Sequence, residues 1–435
     1  MFDPAVEALP WEEQHRLDDR LHRQQIAYLL NHSPFYVEKL RQAGVATAED
    51  AGGLDDIARL PVTEKRELQA DADIDAPFGR HFAVAAGEVV RVHSTSGTTG
   101  TPTYIPLTRQ DLENWITTSA RSYSTSGIRG GEGIVTTYNA GPFVAGAALA
   151  AFDRLGVNHI PMGNSNTERL VATIQRLRPK AAVMTPSYAN YIAEWAEEHG
   201  VDLKRGSVER LLVAGEPGGG ESSQRHRLEE AWGARVTEAM GIGDIGPSLW
   251  GECEEQRGMH LAARGIVHAE LIDPASGNAI PLADDAKGEL VLTHLRHRAA
   301  PLLRFRTRDH VQVWTSPCAC GRTAPRVRCI GRTDDMLIVR GVNVFPGALR
   351  EVVGEFAPAV SGMLLVKPSR TGVAQEPPLP IAVELARESN RAEGLAERIA
   401  ERIRAALTVT VRVDLVPFGS LQRSQYKSKL IEYPN

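Results

Sequence analysis

From Glu12 to Gln42 charged and apolar residues recur at helical spacing, with a break where Pro34 follows Ser33. This predicts a mostly helical N-terminal region through about residue 80. A further short helix is predicted after Leu60-Pro61-Val62, with Thr63 as N-cap and Glu64 in its first turn. From about 88 to 300 the pattern changes. Short β-branched runs at Gly133–Thr137, Ala181–Thr185 and Arg210–Ala214 alternate with helix-like segments such as Thr167–Arg178. That alternation predicts an α/β domain with a largely parallel sheet. Antiparallel strands are expected at Gly265–Leu271, Gly288–His294 and Asp309–Trp314. A second strand-rich unit begins near Met336. It runs through Met363–Lys367 and Ile381–Glu384, a helix Arg391–Leu407, and Val409–Val416, with Thr371–Pro380 as a loose loop. The order fits a small α+β lobe.

Length and composition narrow the class. The 435 residues suffice for two or three domains, and 42% hydrophobic with 24% charged residues is ordinary for a soluble globular protein. The net charge of −5 offers no basic field for nucleic acid. The longest run of apolar and small residues, Phe143 to Phe152, is too short to span a bilayer, so no membrane partner is expected. The N-terminus has neither a basic start nor an apolar stretch, so no secretory signal is read there. Four cysteines late in the chain do not make a disulfide framework at this length, and the expected location is cytoplasmic.

The sharpest chemical signal is Ser94-Thr95-Ser96-Gly97-Thr98-Thr99-Gly100-Thr101-Pro102-Thr103, after the expected strand Glu88–Val92. Glycines let backbone approach a phosphate, and hydroxyls and free N–H groups donate to its oxygens. The run is not a Walker loop, so locally it reads as an anion cradle or as a plain Ser/Thr/Gly surface loop. As a motif it resembles the phosphate loop of the adenylate-forming superfamily of acyl-CoA ligases, adenylation domains and luciferases. His32-Ser33-Pro34-Phe35-Tyr36, Arg91-Val92-His93, Arg304-Phe305-Arg306-Thr307-Arg308-Asp309 and the run Gly331 to Pro346 look like phenylacetate–CoA ligases within it. The resemblance covers nearly the whole chain, in the expected order.

It implies a large multi-subdomain N-terminal domain, 1–332, and a small mobile α+β C-terminal lobe, 333–435. It also implies roles. Ser94, Thr95, Ser96, Gly97, Thr98, Thr99 and Gly100 would hold phosphate. Gly215-Glu216-Pro217 resembles the adenine-contacting segment, with Glu238, Ala239, Met240 and Gly241 beside the nucleotide. Asp309 would accept from the ribose hydroxyls, and Arg332 would lie beside the nucleotide. Asp334 looks like the hinge, Arg340 and Gly341 would meet coenzyme A, and Lys427 would be the adenylation lysine. Asp244 would replace the usual Mg²⁺-holding glutamate, Gly243 lacks the usual hydroxyl, and Thr101 replaces a frequent lysine. Tyr138 and Phe143 resemble an aromatic wall, with Ala214, Met240, Ile245 and Pro247 completing an apolar slot. Without the resemblance Lys427 reads as a solvated tail lysine, and Tyr138 and Phe143 as core aromatics.

Two further clusters bear on chemistry. Cys253 and His260 share one loop, and Cys318 and Cys320 share a turn. Three thiols and an imidazole suit one structural zinc, although C-x-C is tighter than usual and the alternative is three reduced cysteines with a surface histidine. Some members of the resembled family carry such a cysteine-rich turn, which favours zinc. Cys329 reads as a packed thiol. Arg296, Arg298, Arg304, Arg306 and Arg308 could meet a polyanion. With 54 Asp plus Glu against 49 Lys plus Arg, pairing with carboxylates is the simpler expectation.

The reading is an ATP-dependent ligase that activates an aromatic, phenylacetate-like acid as acyl-AMP and passes it to coenzyme A, with Mg²⁺ and a structural Zn²⁺. The rivals are an adenylate-forming enzyme that serves a carrier protein or amine, and a degenerate non-catalytic binder. The oligomeric state is open, a homodimer included.

Overall fold

The computed structural model describes every residue except 74, 96–102, 139, 140, 142, 164, 165, 388, 390–392, 424–428 and 435. The N-terminal region is helical. The long helix Trp11–His32 ends at Ser33, whose hydroxyl caps Pro34–Gln42 by accepting from the Tyr36 amide. Pro34 tolerates this place because a first-turn N–H has no intrahelical partner. Thr63 does not cap the next helix. The helix Lys65–Ala70 starts one residue later on Glu64, whose amide is received by Glu67. Thr63 is instead fully buried, pairs with Phe305 and donates its hydroxyl to the Leu303 carbonyl at 2.7 Å. A tertiary bond thus overrides its local capping preference.

Among the described residues the alternating and antiparallel segments join into one sheet of twelve strands. Asn158–Pro161, Gly133–Thr136, Ala181–Met184, Arg210–Ala214 and Arg235–Ile242 run parallel. The hairpin from Arg235–Ile242 into Gly246–Glu252 reverses the direction. Antiparallel pairing then continues through Met259–Leu261, Arg326–Arg332, Phe305–Trp314, Lys287–His294, Val267–Ile272 and Ala279–Ile280. The reversal places the last parallel strands beside the hairpin tip, where a cleft can form.

Past Arg332 a separate apolar cluster takes over, drawn from residues such as Leu337, Leu349, Val366, Ile381, Ile399 and Ile431. It is covered by the helices Pro346–Gly354 and Leu395–Leu407 and built, among the described residues, on two three-stranded sheets. The expected loose loop Thr371–Pro380 is partly ordered: Ala374–Gln375 pairs in parallel with Leu337–Val339, and Leu379 begins the next strand. Backbone pairing here needs no apolar signal. Among the described residues no helix is long and apolar enough to cross a membrane.

Histidine burial gives the fold an acid limit. His22, His81 and His294 are buried, and burial pushes them down to about 4, about 4 and about 3. Neither His22 ring nitrogen has a hydrogen-bond partner among the described residues. A depressed folded pKa means the unfolded chain binds the extra protons. This stability is present above about 6.5 and is lost as pH falls through the folded values. Asp18 and Glu238, which burial pushes up to about 6 and about 8, act in the opposite sense. The His22→Leu variant is therefore expected to lose less Tm than the parent between pH 7 and pH 4.5. Parallel curves of Tm against pH would remove His22 from this account.

Candidate active site

The hairpin tip Ile242–Gly246 carries Asp244, and the fold holds it from below. A Cβ on Gly241 would lie 2.6 Å from the Ser248 nitrogen, so the turn closes only on glycine. The buried Trp115 indole donates to the Ile245 carbonyl at 3.1 Å. His294 reaches the same carbonyl through Nε2 at 3.0 Å, while its Nδ1 accepts from the Leu302 amide at 3.0 Å. Asp244 Oδ2 accepts from Lys65 at 2.9 Å. Its Oδ1 is buried with no partner among the described residues, a carboxylate oxygen placed to take a cation or a water. Lys65 is 179 positions away in sequence, and no local signal marks it.

The start of the expected phosphate loop reaches this tip. A Cβ on Gly243 would stand 3.3 Å from the Thr95 methyl. Thr95 is fixed by exchange with Thr103, amide to carbonyl at 3.0 Å and hydroxyl from amide at 3.1 Å. Ser94 bridges to Phe143, whose ring is 37% exposed. Ser96 to Gly100, Thr101 and Lys427 lie outside the described residues.

Next to the tip, the strand Arg210–Ala214 delivers the segment Gly215-Glu216-Pro217. Gly215 adopts φ 95°, a left-handed backbone that suits glycine. Glu216 Oε1 accepts from the Ser187 amide at 2.8 Å, which anchors the segment to the start of the helix Pro186–Glu198. The Tyr138 hydroxyl donates to the Ala214 carbonyl at 2.8 Å, so Tyr138 and Ala214 do meet. Ile245 and Pro247 are buried and Met240 is partly buried. Glu238 and Glu252 lie buried together beneath the segment, and Arg225 binds Glu252 at 2.5 Å. Burial first, then the Glu252 charge, pushes Glu238 up to about 8.

Asp309 is 8% exposed. Its Oδ1 accepts from Arg332 at 3.2 Å, and its Oδ2 is buried with no partner among the described residues. Burial raises its pKa against the lowering by Arg332. Arg332 also donates to Asp334 at 2.9 Å, so one guanidinium joins the expected ribose carboxylate to the expected hinge. Arg340 and Gly341 form an exposed two-residue turn between Leu337–Val339 and Val342–Val344, with φ 49° and 80°. Three of the five arginines of the basic run pair with carboxylates: Arg304 with Glu270, Arg306 with Glu289, and Arg308 with Glu64, while Arg296 is exposed. Arg298 stacks over Tyr28 at 4.3 Å.

The four proposed metal ligands converge. One ligand atom each from Cys253, His260, Cys318 and Cys320 lies within 4.8 Å of the others. Cys253 Sγ and Cys318 Sγ are 3.7 Å apart, and Cys320 Sγ is 3.4 Å from His260 Nε2. A tetrahedron with Zn–S of about 2.3 Å and Zn–N of about 2.0 Å has edges of roughly these lengths. His260 Nδ1 faces the Ala324 carbonyl at 3.3 Å, which orients Nε2 toward the thiols. Three thiols and one imidazole at these separations make a donor set suited to Zn²⁺. Cys329 stands apart, its thiol 3.6 Å from the Gly331 carbonyl.

Comparison with known proteins settles the family. Residues 14–294 match the family described as AMP-binding enzyme, and residues 341–432 match its AMP-binding enzyme C-terminal domain. The chain belongs to the AMP-binding enzyme family. A phenylacetate-coenzyme A ligase of Thermus thermophilus is 35% identical, over 98% of this chain and 97% of that protein. A solved 2-hydroxyisobutyryl-CoA ligase, in the postadenylation state with 2-HIB-AMP, superposes with a TM-score of 0.90 at 28% identity, over 99% of this chain and 92% of that one. The same ligase with 2-HIB-AMP and CoA in the thioesterification state gives 0.72, over 99% and 91%, also at 28% identity. This AMP-binding enzyme thus overlaps better with the postadenylation structure of that ligase than with its thioesterification structure. Thr95 meets Gly243 beside Asp244, and the structure also brings together Tyr138, Ala214 and Gly215, and Asp309, Arg332 and Asp334.

Proposed function

We propose that this AMP-binding enzyme is an aryl-CoA ligase. It joins an aromatic carboxylate, phenylacetate-like, to ATP as acyl-AMP, and then to coenzyme A. The carboxylate oxygen attacks the α-phosphorus and pyrophosphate leaves. The CoA thiolate then attacks the acyl carbon and AMP leaves. The observation that carries this reading is the match along nearly the whole chain to phenylacetate-coenzyme A ligase. The geometry supports this reading. Asp309 Oδ2 is a buried acceptor for ribose hydroxyls. The backbone of Gly215 to Pro217 supplies the adenine-facing segment, and the Tyr138–Ala214 contact closes one side of an apolar slot. Domains 1–332 and 333–435, joined at Asp334, give two lobe orientations for two half-reactions.

Asp244 fits Mg²⁺ through its unpartnered Oδ1. When bound there, the ion would offset phosphate charge. Lys65 holds the other oxygen and orients the carboxylate. The Asp244→Asn variant is expected to need several-fold more Mg²⁺ for half-maximal adenylation, with the fold unchanged by circular dichroism. An unchanged Mg²⁺ titration removes Asp244 as the ligand.

The function is tested with a panel of aryl acids. Carboxylate-dependent exchange of pyrophosphate into ATP is expected, with AMP release coupled to CoA consumption. Exchange without CoA consumption would assign a carrier-protein or amine acceptor instead. No exchange with any acid would assign a non-catalytic binder, the reading suggested by Thr101, Gly243 and Asp244.

A further inference from the structure

The small lobe meets the large domain through a charged and closely packed face on the helix Pro346–Gly354. Arg350 lies at its centre, its side chain 9% exposed, opposite Glu221 at 12%. Its Nε donates to Glu221 Oε2 at 2.8 Å and its Nη2 to Glu221 Oε1 at 2.6 Å. Nη2 also donates to the Pro217 carbonyl at 3.0 Å. The next residue, Glu351, accepts from the Ser222 amide at 3.4 Å, one of the open N–H groups at the start of the helix Ser222–Trp232. Around this pair the two surfaces approach closely at two glycines. A Cβ on Gly354 would fall 2.2 Å from the Ser223 hydroxyl, and one on Gly362 1.8 Å from Arg227 Nη2. Arg423 adds a second bridge, from the buried Glu384 of the small lobe to Glu194 of the large domain.

Pro217 closes the segment assigned to adenine, so Arg350 touches both the docking contact and the nucleotide segment. We propose that Arg350 is a positioning residue for acyl-adenylate formation. Its bidentate grip on Glu221 docks the small lobe, and its bond to the Pro217 carbonyl sets the shape of the adenine-facing segment. This rests on the two-step reading given above.

The physical reason is the geometry of the guanidinium. A planar fork can satisfy a carboxylate with two parallel bonds and still present a donor to a carbonyl. No aliphatic or acidic side chain can do both. Docking therefore organises the nucleotide segment, and an occupied nucleotide segment favours docking, a reciprocal coupling. Rotation of the lobe toward thioester formation separates Arg350 from Glu221 and Pro217 together. The segment then loses its outside support once the adenylate is made. The lobe arrangement agrees: the overlap is better with the postadenylation state of the solved ligase than with its thioesterification state.

The test uses the full chain carrying a donor fluorophore on the large domain and an acceptor on the small lobe, placed at exposed sites through non-canonical amino acids. Three quantities are read for the parent, Arg350→Met and Glu221→Gln: interlobe transfer efficiency without substrates, KM for ATP in pyrophosphate exchange, and thioester formation from supplied acyl-AMP. In Arg350→Met, transfer efficiency should move away from the parent value. KM for ATP should rise about tenfold or more, with thioester formation within about twofold of the parent. Glu221→Gln keeps the Pro217 bond, so it should shift the transfer efficiency with a smaller rise in KM. Unchanged efficiency and KM in Arg350→Met, or an equal fall in both half-reactions, overturns the assignment. If the parent itself makes no acyl-AMP from any aryl acid, the functional reading fails. The substrate-free transfer efficiency and direct ATP-binding titrations of the variants still judge the clamp.

Discussion

Replacing Cys318 by serine is expected to lower the Tm by about 5–10 °C, a loss of several kcal/mol at this chain size. Protein purified without a histidine tag should carry about one equivalent of zinc, and the variant much less. The argument is one of closure. Cys253 and His260 do not share one loop as expected: Cys253 follows the strand Gly246–Glu252, His260 sits within the next strand, Met259–Leu261, and Cys318 and Cys320 lie in a separate turn. Their ligand atoms meet at distances that suit a tetrahedral ion. Four protein ligands leave no open position, so the site is read as structural. That turn is also tied to the N-terminus, where Arg322 binds the buried Glu7 at 2.7 Å. Loss of the metal should therefore loosen the N-terminal strap as well, read as earlier proteolysis near residues 1–10. Less than about half an equivalent of zinc, with rapid reaction of all the thiols in the native protein, would leave the cluster as free thiols. Lost activity at unchanged Tm would instead assign the metal to catalysis.

Lys427→Ala is expected to cut acyl-adenylate formation by about a hundredfold or more. Thioester formation from supplied acyl-AMP should fall far less. A fixed positive charge near the carboxylate and α-phosphate matters only while negative charge builds between them. Lys427 lies outside the described residues, but the start of its segment is secured. Arg423 binds the buried Glu384 with two bonds of 2.6 Å and reaches Glu194 across the lobe boundary at 3.0 Å. Single-turnover measurement of each half-reaction decides the matter. Equal losses in both would show that Lys427 serves the structure or both steps.

Much of the architecture was written in local pattern. Hydrophobic periodicity marked the N-terminal helices, the β-branched runs and the strands of the small lobe, because burial on one face imposes spacing on the chain. The resemblance in the phosphate loop and in the run Gly331 to Pro346 pointed to the family for a similar reason: contacts with a nucleotide constrain neighbouring backbone positions. What depended on distance was out of reach. Thr63 has the chemistry of a cap, yet its hydroxyl goes to Leu303, a partner supplied by the sheet. Ala374–Gln375 lacks an apolar signature and pairs through backbone alone. Arg304, Arg306 and Arg308 could have met a polyanion until Glu270, Glu289 and Glu64 were seen to pair with them. The sequence could supply three thiols and an imidazole, but only the fold brought them within 4.8 Å. The same holds for Lys65 on Asp244 and for Arg350 on Glu221 and Pro217. Chain order alone therefore determined the elements, their periodicity and the family motifs. Tertiary structure decided which charges face each other, because a salt bridge or metal site depends on separation in space and leaves no period in the chain.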